Sequence, residues 1–154
     1  MRLWHYKLLP YLDDFHIVAQ WRELLAIKGA IDKNGTPNHR LVNKVLDYSL
    51  LDFKQYTFRV AEELHKRKIK FVASKLGEIM IWECDKFGKV ISHSNYEDTH
   101  SIYYKWHNKR YLIQCYYNLE EKYDCGIVSE KAFSQIKNFV LKNFVKGEFW
   151  EWIQ

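Results

Sequence analysis

The stretch DDFHIVAQWRELLAIKGAI, residues 13–31, decides how the N-terminal half is read. Asp13 and Asp14 stand where a carboxylate caps the free amides of a first helical turn, and Gly29 stands where a chain can leave a helix, so a helix over 14–30 is predicted. Phe15, Val18, Trp21 and Leu25 supply its apolar side. His16, Gln20 and Glu23 recur at i, i+4 and i+7 and form a polar line along another side. Downstream, Asn34 and Gly35 make a turn, Thr36 caps and Pro37 takes a first helical position, which predicts a second, shorter helix over 37–47. Ser49 with Asp52 forms a capping box, and Leu50, Phe53, Tyr56, Val60, Ala61 and Leu64 carry a third helix to about Lys68, where the basic run HKRKIK ends it.

Beyond residue 75 the period changes. EIMIWECD (78–85) and KVISH (89–93) surround Phe87 and Gly88, and IYYKW (102–106) and RYLIQCYY (110–117) surround His107 to Lys109. Both pairs read as hairpins rich in aromatic and β-branched residues. From Ser129, SEKAFSQIKNFVLKNF has a cap followed by Phe133, Ile136, Phe139 or Val140, and Phe144 at helical spacing. The expected fold class is therefore α+β: a helical N-terminal half of three helices over 1–75, with a small antiparallel sheet and a C-terminal helix over 76–154 packed on it as one compact unit.

A chain of 154 residues, 47% hydrophobic with only 6 Gly and 2 Pro, is long enough for one folded domain with a real core. No apolar run approaches the roughly 18 residues of a membrane span, and MRLWHYKLLPYL has no apolar signal core, so a cytoplasmic monomer away from membranes is expected. Cys84, Cys115 and Cys125 are an odd count without a CxxC pair, so neither a disulfide framework nor a zinc ribbon is indicated. Residues 1–75 hold 14 of the 24 Lys/Arg but 8 of the 19 Asp/Glu, a balance of +6 against −1 for the rest. A localised positive field of this kind suits a polyanion, nucleic acid first. With 6 Trp and 11 Tyr, some aromatic rings must reach the surface, where they can stack on bases.

Several chemistries have no motif to carry them: there is no P-loop, GxGxxG, GxSxG or HExxH. His93 and His100 flanking Glu97 and Asp98 come closest to a metal cluster but read as solvated loop residues, and no metal is expected. Cys115 reads as a small core residue and not as a nucleophile. Glu23 follows Arg22 inside an otherwise apolar helix, as an exposed helical carboxylate or as one held at a site.

The N-terminal half carries Arg2, LxDxH as Leu12, Asp14 and His16, then Arg22, Glu23 and Leu24, and then Gly29 and Ala30. In this order and spacing it resembles the phage-type pyrimidine-dimer DNA glycosylases with apurinic/apyrimidinic lyase activity, and related bacterial proteins that begin MRLWH. Asn34 with Gly35, LHKRKIKF (64–71) and YYKWHNK (103–109) match more weakly. Two positions depart from the family pattern. Met1 precedes Arg2 directly where the phage enzyme exposes a threonine, and a further family arginine falls at Ala26, with Lys28 nearby.

The resemblance implies an enzyme that needs no metal or organic cofactor and acts on double-stranded DNA with damaged or abasic sites. An α-amine has a reference pKa of about 8, so a useful fraction is nucleophilic at neutral pH. It attacks C1′ and displaces the base, and the Schiff base then acidifies the C2′ proton so that a carboxylate can assist loss of the 3′ phosphate. By this likeness the Met1 amine is the nucleophile and Glu23 the carboxylate, with Arg2, His16 and Arg22 positioning the strand. His39, Arg40, Lys44, Lys105 and Trp106 complete the expected DNA-contacting set, with some of Lys66 to Lys70. Tyr103, Tyr104, Trp106, Tyr116 and Tyr117 are expected to divide between core and surface. A non-catalytic nucleic-acid-binding module and a protein-interaction domain stand as the alternatives.

Overall fold

The computed structural model describes residues 2–88 and 102–144. Among them the chain is helical throughout, with five α-helices and two 3₁₀ segments. A 3₁₀ segment at Tyr6–Tyr11 leads into α1 (Asp14–Asn34). A second at Asn43–Asp47 leads into α2 (Leu50–Lys66), and α3 (Ala73–Met80), α4 (Lys109–Asp124) and α5 (Glu130–Phe144) follow.

The local signals explain the starts of α1 and α2. Asp13 caps α1 by accepting from the His16 amide at 3.0 Å. At α2, Ser49 Oγ accepts from the Asp52 amide at 3.2 Å and Asp52 returns the bond to the Ser49 amide at 3.3 Å, which satisfies two otherwise orphaned donors. The end of α1 differs from expectation. Gly29 lies inside the helix, and the stop comes at Gly35, whose φ of 72° lets its amide reach the Ile31 carbonyl at 2.8 Å. Buried Ile27 and Ile31 carry the helix past Gly29, since packing of an apolar face outweighs a propensity cost of about 1 kcal/mol.

The apolar side of α1 is also turned from the expected one. Ile17, Trp21, Leu24, Ile27 and Ile31 are buried together with His16 and Gln20, whereas Phe15 is 68% exposed. The expected helix over 37–47 is instead a turn followed by the short 3₁₀ segment. Asn38 has a positive φ there, and His39 spends its amide on the Asn43 side chain at 3.0 Å.

No strand is present among the described residues, which overturns the expected sheet. RYLIQCYY lies in α4, where Leu112, Cys115, Tyr116 and Leu119 are buried at i, i+3, i+4 and i+7. Asn108 caps this helix by accepting from the Tyr111 amide at 3.0 Å. Aromatic richness is a weak strand signal, and a continued 3.6-residue apolar period overrides it. The start of EIMIWECD likewise belongs to α3, which buries Ile79, while IYYKW forms a turn. KVISH lies outside the described residues.

α1 packs on α2, α3 and the first 3₁₀ segment pack on α2, and α5 packs on both α4 and that segment. Core residues from both halves, including Leu3, Leu24, Phe53, Ile79, Leu112 and Ile136, form one apolar cluster. Arg67 closes the first 3₁₀ segment by donating to the carbonyls of Leu9, Pro10 and Leu12 at 3.2, 3.1 and 2.5 Å. That role takes it out of the basic run expected to face phosphates. No helix among the described residues is long and apolar enough to cross a membrane.

Candidate functional site

Residues 2–4 have neither a helix nor a strand to satisfy their backbone, so side chains from three helices do so. From α1, the Gln20 Oε1 accepts from the Trp4 amide at 2.9 Å. From α2, the Tyr56 hydroxyl donates to the Trp4 carbonyl at 2.7 Å, with Gln20 Oε1 3.1 Å away as a second acceptor. From α4, the Tyr111 hydroxyl donates to the Leu3 carbonyl at 2.6 Å. Buried main-chain groups left unpaired would each cost about 1–3 kcal/mol, so these contacts fix where the N-terminal segment lies.

The segment lies along the polar line of α1 and reaches Glu23. The Glu23 Oε2 accepts from the Arg2 amide at 3.4 Å and from Gln20 Nε2 at 3.2 Å. Burial holds the Glu23 carboxyl above the usual carboxylate range, against the Arg2 amide bond and the nearby positive charge of His39 when that ring is protonated. Met1, the expected nucleophile, lies outside the described residues. His16 is buried, with its Nδ1 2.6 Å from Asp13 Oδ1 and its ring edge-on to Trp4. Its Nε2 has no hydrogen-bond partner, and neither does Nδ1 of the half-buried His39.

A second contact seam ties this segment to the C-terminal half. His5 Nε2 donates to the His107 carbonyl at 2.7 Å, while Nδ1 of His107 accepts from the Tyr6 amide at 3.2 Å. His5 Nδ1 accepts from the Lys7 amide at 3.2 Å. Each ring uses one nitrogen as an acceptor, which requires the neutral form. Burial lowers the pKa of His5 to about 4 and that of His107 well below its ordinary value.

Next to the N-terminal segment opens a concavity of about 670 Å³. Arg2, Arg40, Lys44, Lys105 and Arg110 line it together with Trp106, Tyr111 and Tyr117, and no carboxylate is among its lining residues. The turn over 102–106 builds one wall: Tyr103 and Lys105 take left-handed conformations, and Asp52 accepts from the Tyr103 amide at 2.9 Å. The same Asp52 closes the capping box of α2, so one carboxylate sets both the helix and the wall. Of the five cations only Lys44 has a carboxylate near it among the described residues, Asp47 at 3.7 Å.

The expected contact residues therefore divide. Arg2, Arg40, Lys44, Lys105 and Trp106 share the concavity, while Arg22 points out from α1 as an exposed residue, and neither His16 nor His39 is among the lining residues. Tyr103, Trp106 and Tyr116 are buried and Tyr117 is exposed. Tyr117 is one of the aromatics expected to divide between core and surface, whereas Arg110, Tyr111 and Gln114 join the concavity unexpectedly, because their stretch reads as a strand. His93, Glu97, Asp98 and His100 lie outside the described residues, and no group of three or more metal-ligating side chains occurs among the described ones.

A helical protein that presents cations and aromatic rings in one carboxylate-free hollow, beside a half-buried carboxylate, has the make-up of a polyanion-binding protein. Residues 1–76 match the family model described as pyrimidine dimer DNA glycosylase, the family that the N-terminal motifs resemble. The family is one of DNA-repair enzymes that act on damaged DNA. No curated protein and no solved structure matches the chain.

Proposed function

We propose that the protein is a DNA glycosylase with apurinic/apyrimidinic lyase activity that acts on damaged pyrimidines, pyrimidine dimers among them, through a Schiff base on its terminal amine. The observation that carries this is the contact between the Arg2 amide and the Glu23 carboxylate at 3.4 Å. Covalent geometry keeps a residue's amine within about 3.6 Å of the next backbone nitrogen. Arg2 directly follows Met1 in the chain, so the carboxylate that holds the Arg2 amide is the one assigned here to the terminal amine.

The chemistry follows from that pairing. The amine lone pair attacks C1′ of the damaged nucleotide, and the glycosidic bond breaks with the electron pair leaving on the base. Loss of the amine protons and opening of the deoxyribose ring, in which the C1′–O4′ bond breaks and O4′ takes a proton, give the Schiff base. Glu23, ionised above its raised pKa, takes the C2′ proton, and the C3′–O bond breaks with the 3′ phosphate as leaving group. Water then hydrolyses the imine and frees the amine. The concavity beside Arg2 supplies cations for the phosphates and exposed Tyr117 for stacking.

Replacing Glu23 with Gln tests the assignment. The shape is kept while the proton acceptor is lost, so strand cleavage of an abasic duplex should be abolished with affinity nearly intact. Cleavage by E23Q at the wild-type rate would remove Glu23 from the reaction. Salt-sensitive binding by a wild-type protein that never cleaves would leave a nucleic-acid-binding module.

A further inference from the structure

Gln20 is almost completely buried, 1% exposed, and touches both the N-terminal segment and the Glu23 carboxylate. Its partners fix which way its amide faces. The Trp4 N–H can only donate, so the atom 2.9 Å from it is the oxygen, and the atom 3.2 Å from the Glu23 carboxylate is the nitrogen. We propose that Gln20 is a positioning residue for the terminal amine and Glu23, holding the main chain at Trp4 and the Glu23 Oε2 in one frame through its two amide atoms. This rests on the assignment of that amine and that carboxylate as the reacting pair.

The need for such a residue is physical. Glu23 is half-buried, and its main-chain bond, from Arg2, is long at 3.4 Å. Displacement of a reacting group by about 1 Å costs on the order of 100-fold in rate. A leucine at position 20 would leave the Trp4 amide buried without an acceptor. A glutamate would keep an acceptor for Trp4 but set a second carboxyl 3.2 Å from the first. Of the uncharged side chains of this length, only Gln offers an acceptor to one side and a donor to the other.

The surroundings of Glu23 make a second carboxyl visible. The groups that act on it are the Arg2 amide and the terminal amine on the N-terminal segment, His39 on the loop after α1, Tyr56 on α2 and Gln20 on α1 itself. None of the described groups among these carries a negative charge at neutral pH. A second carboxylate at position 20 would be the first negative neighbour, and it would favour the protonated form of Glu23.

The test is single-turnover cleavage of a preformed abasic duplex by wild type and Q20E across pH 4–9. At neutral pH the Q20E rate should fall about 100-fold while duplex affinity stays within about twofold. The acidic limb of its rate–pH profile should move up by about one pH unit or more. A merely structural role would lower the folded fraction without moving that limb, so an unmoved limb overturns the proposal. If Q20E does not fold, the side-chain amide resonances of Gln20 in the wild-type protein are followed through the same range. They should titrate at the midpoint of the wild-type acidic limb, and resonances that do not respond there overturn it. A wild-type protein that leaves abasic DNA uncut removes the reaction itself, an outcome distinct from a cutting wild type whose Q20E limb is unmoved.

Discussion

Lowering the pH should loosen the N-terminal segment before it touches the rest of the core, because the seam that holds the segment is made by two neutral histidines. His5 titrates at 6.5 when exposed and at about 4 in the folded chain. Between those values the unfolded chain binds a proton that the folded chain refuses, so stability is lost as the pH falls from about 6.5 towards 4 and is regained as it rises. At about 1.4 kcal/mol per pH unit this withdraws about 3 kcal/mol from His5 alone. His107 adds to it in the same direction. Glu23 works the opposite way, because burial raises its pKa and so stabilises the folded form at lower pH. The assay is urea denaturation at pH 7.5, 6.5, 5.5 and 4.5 for wild type and H5Q. Gln keeps a donor for the His107 carbonyl and an acceptor for the Lys7 amide but cannot be protonated. The stability of H5Q should therefore fall by about 3 kcal/mol less than that of wild type over this range. Equal losses in the two proteins would refute the assignment of the acid sensitivity to this seam.

Other perturbations have equally definite outcomes. Neutralising Arg40, Lys105 or Arg110 singly should each reduce the slope of log affinity for duplex DNA against log salt by about 0.9, whereas neutralising Arg67, which is occupied by carbonyls, should leave it unchanged. Tyr56→Phe leaves the Trp4 carbonyl without its donor and should destabilise the fold by about 1–3 kcal/mol in denaturant titrations, with a smaller loss if Gln20 re-pairs. Gly88→Ala would set a methyl group 2.7 Å from the Asp47 carbonyl oxygen while the Gly88 amide is held on Leu46 at 2.9 Å, so the melting temperature should drop by several degrees, and an unchanged value would show that this loop yields.

The parts of the fold legible in the sequence are those decided within a few residues. The caps at Asp13, Ser49 with Asp52, and Ser129 act over three residues and are read directly. The expected sheet fails because RYLIQCYY resembles a strand only when cut off at Tyr117. Continued through Leu119 behind its Asn108 cap, the same stretch buries one helical face. Gln20 was visible as part of a polar line but not as a buried residue, since its partners Trp4 and Tyr56 are 16 and 36 residues away and lie on other elements. The same holds for the concavity. Arg2, Arg40 and Lys44 come from the basic half, but Arg110, Gln114 and Tyr117 meet them only because α4 is a helix that turns those side chains to one side. Charge predicts a polyanion partner, and only packing selects which cations share a hollow.

Borohydride reduction in the presence of a duplex bearing one abasic site tests most directly whether the terminal amine is the nucleophile. The protein with its native N-terminus should be trapped as a covalent adduct, and peptide mapping should place the added sugar on residue 1. E23Q should still be trapped while leaving the strand uncut, because the carboxylate acts after the imine has formed. A chain extended by a few residues before Met1 should bind the duplex and give no adduct. An extended chain trapped as efficiently as the native one, or an adduct that maps to a lysine, would contradict the assignment of the Met1 amine as the reacting group.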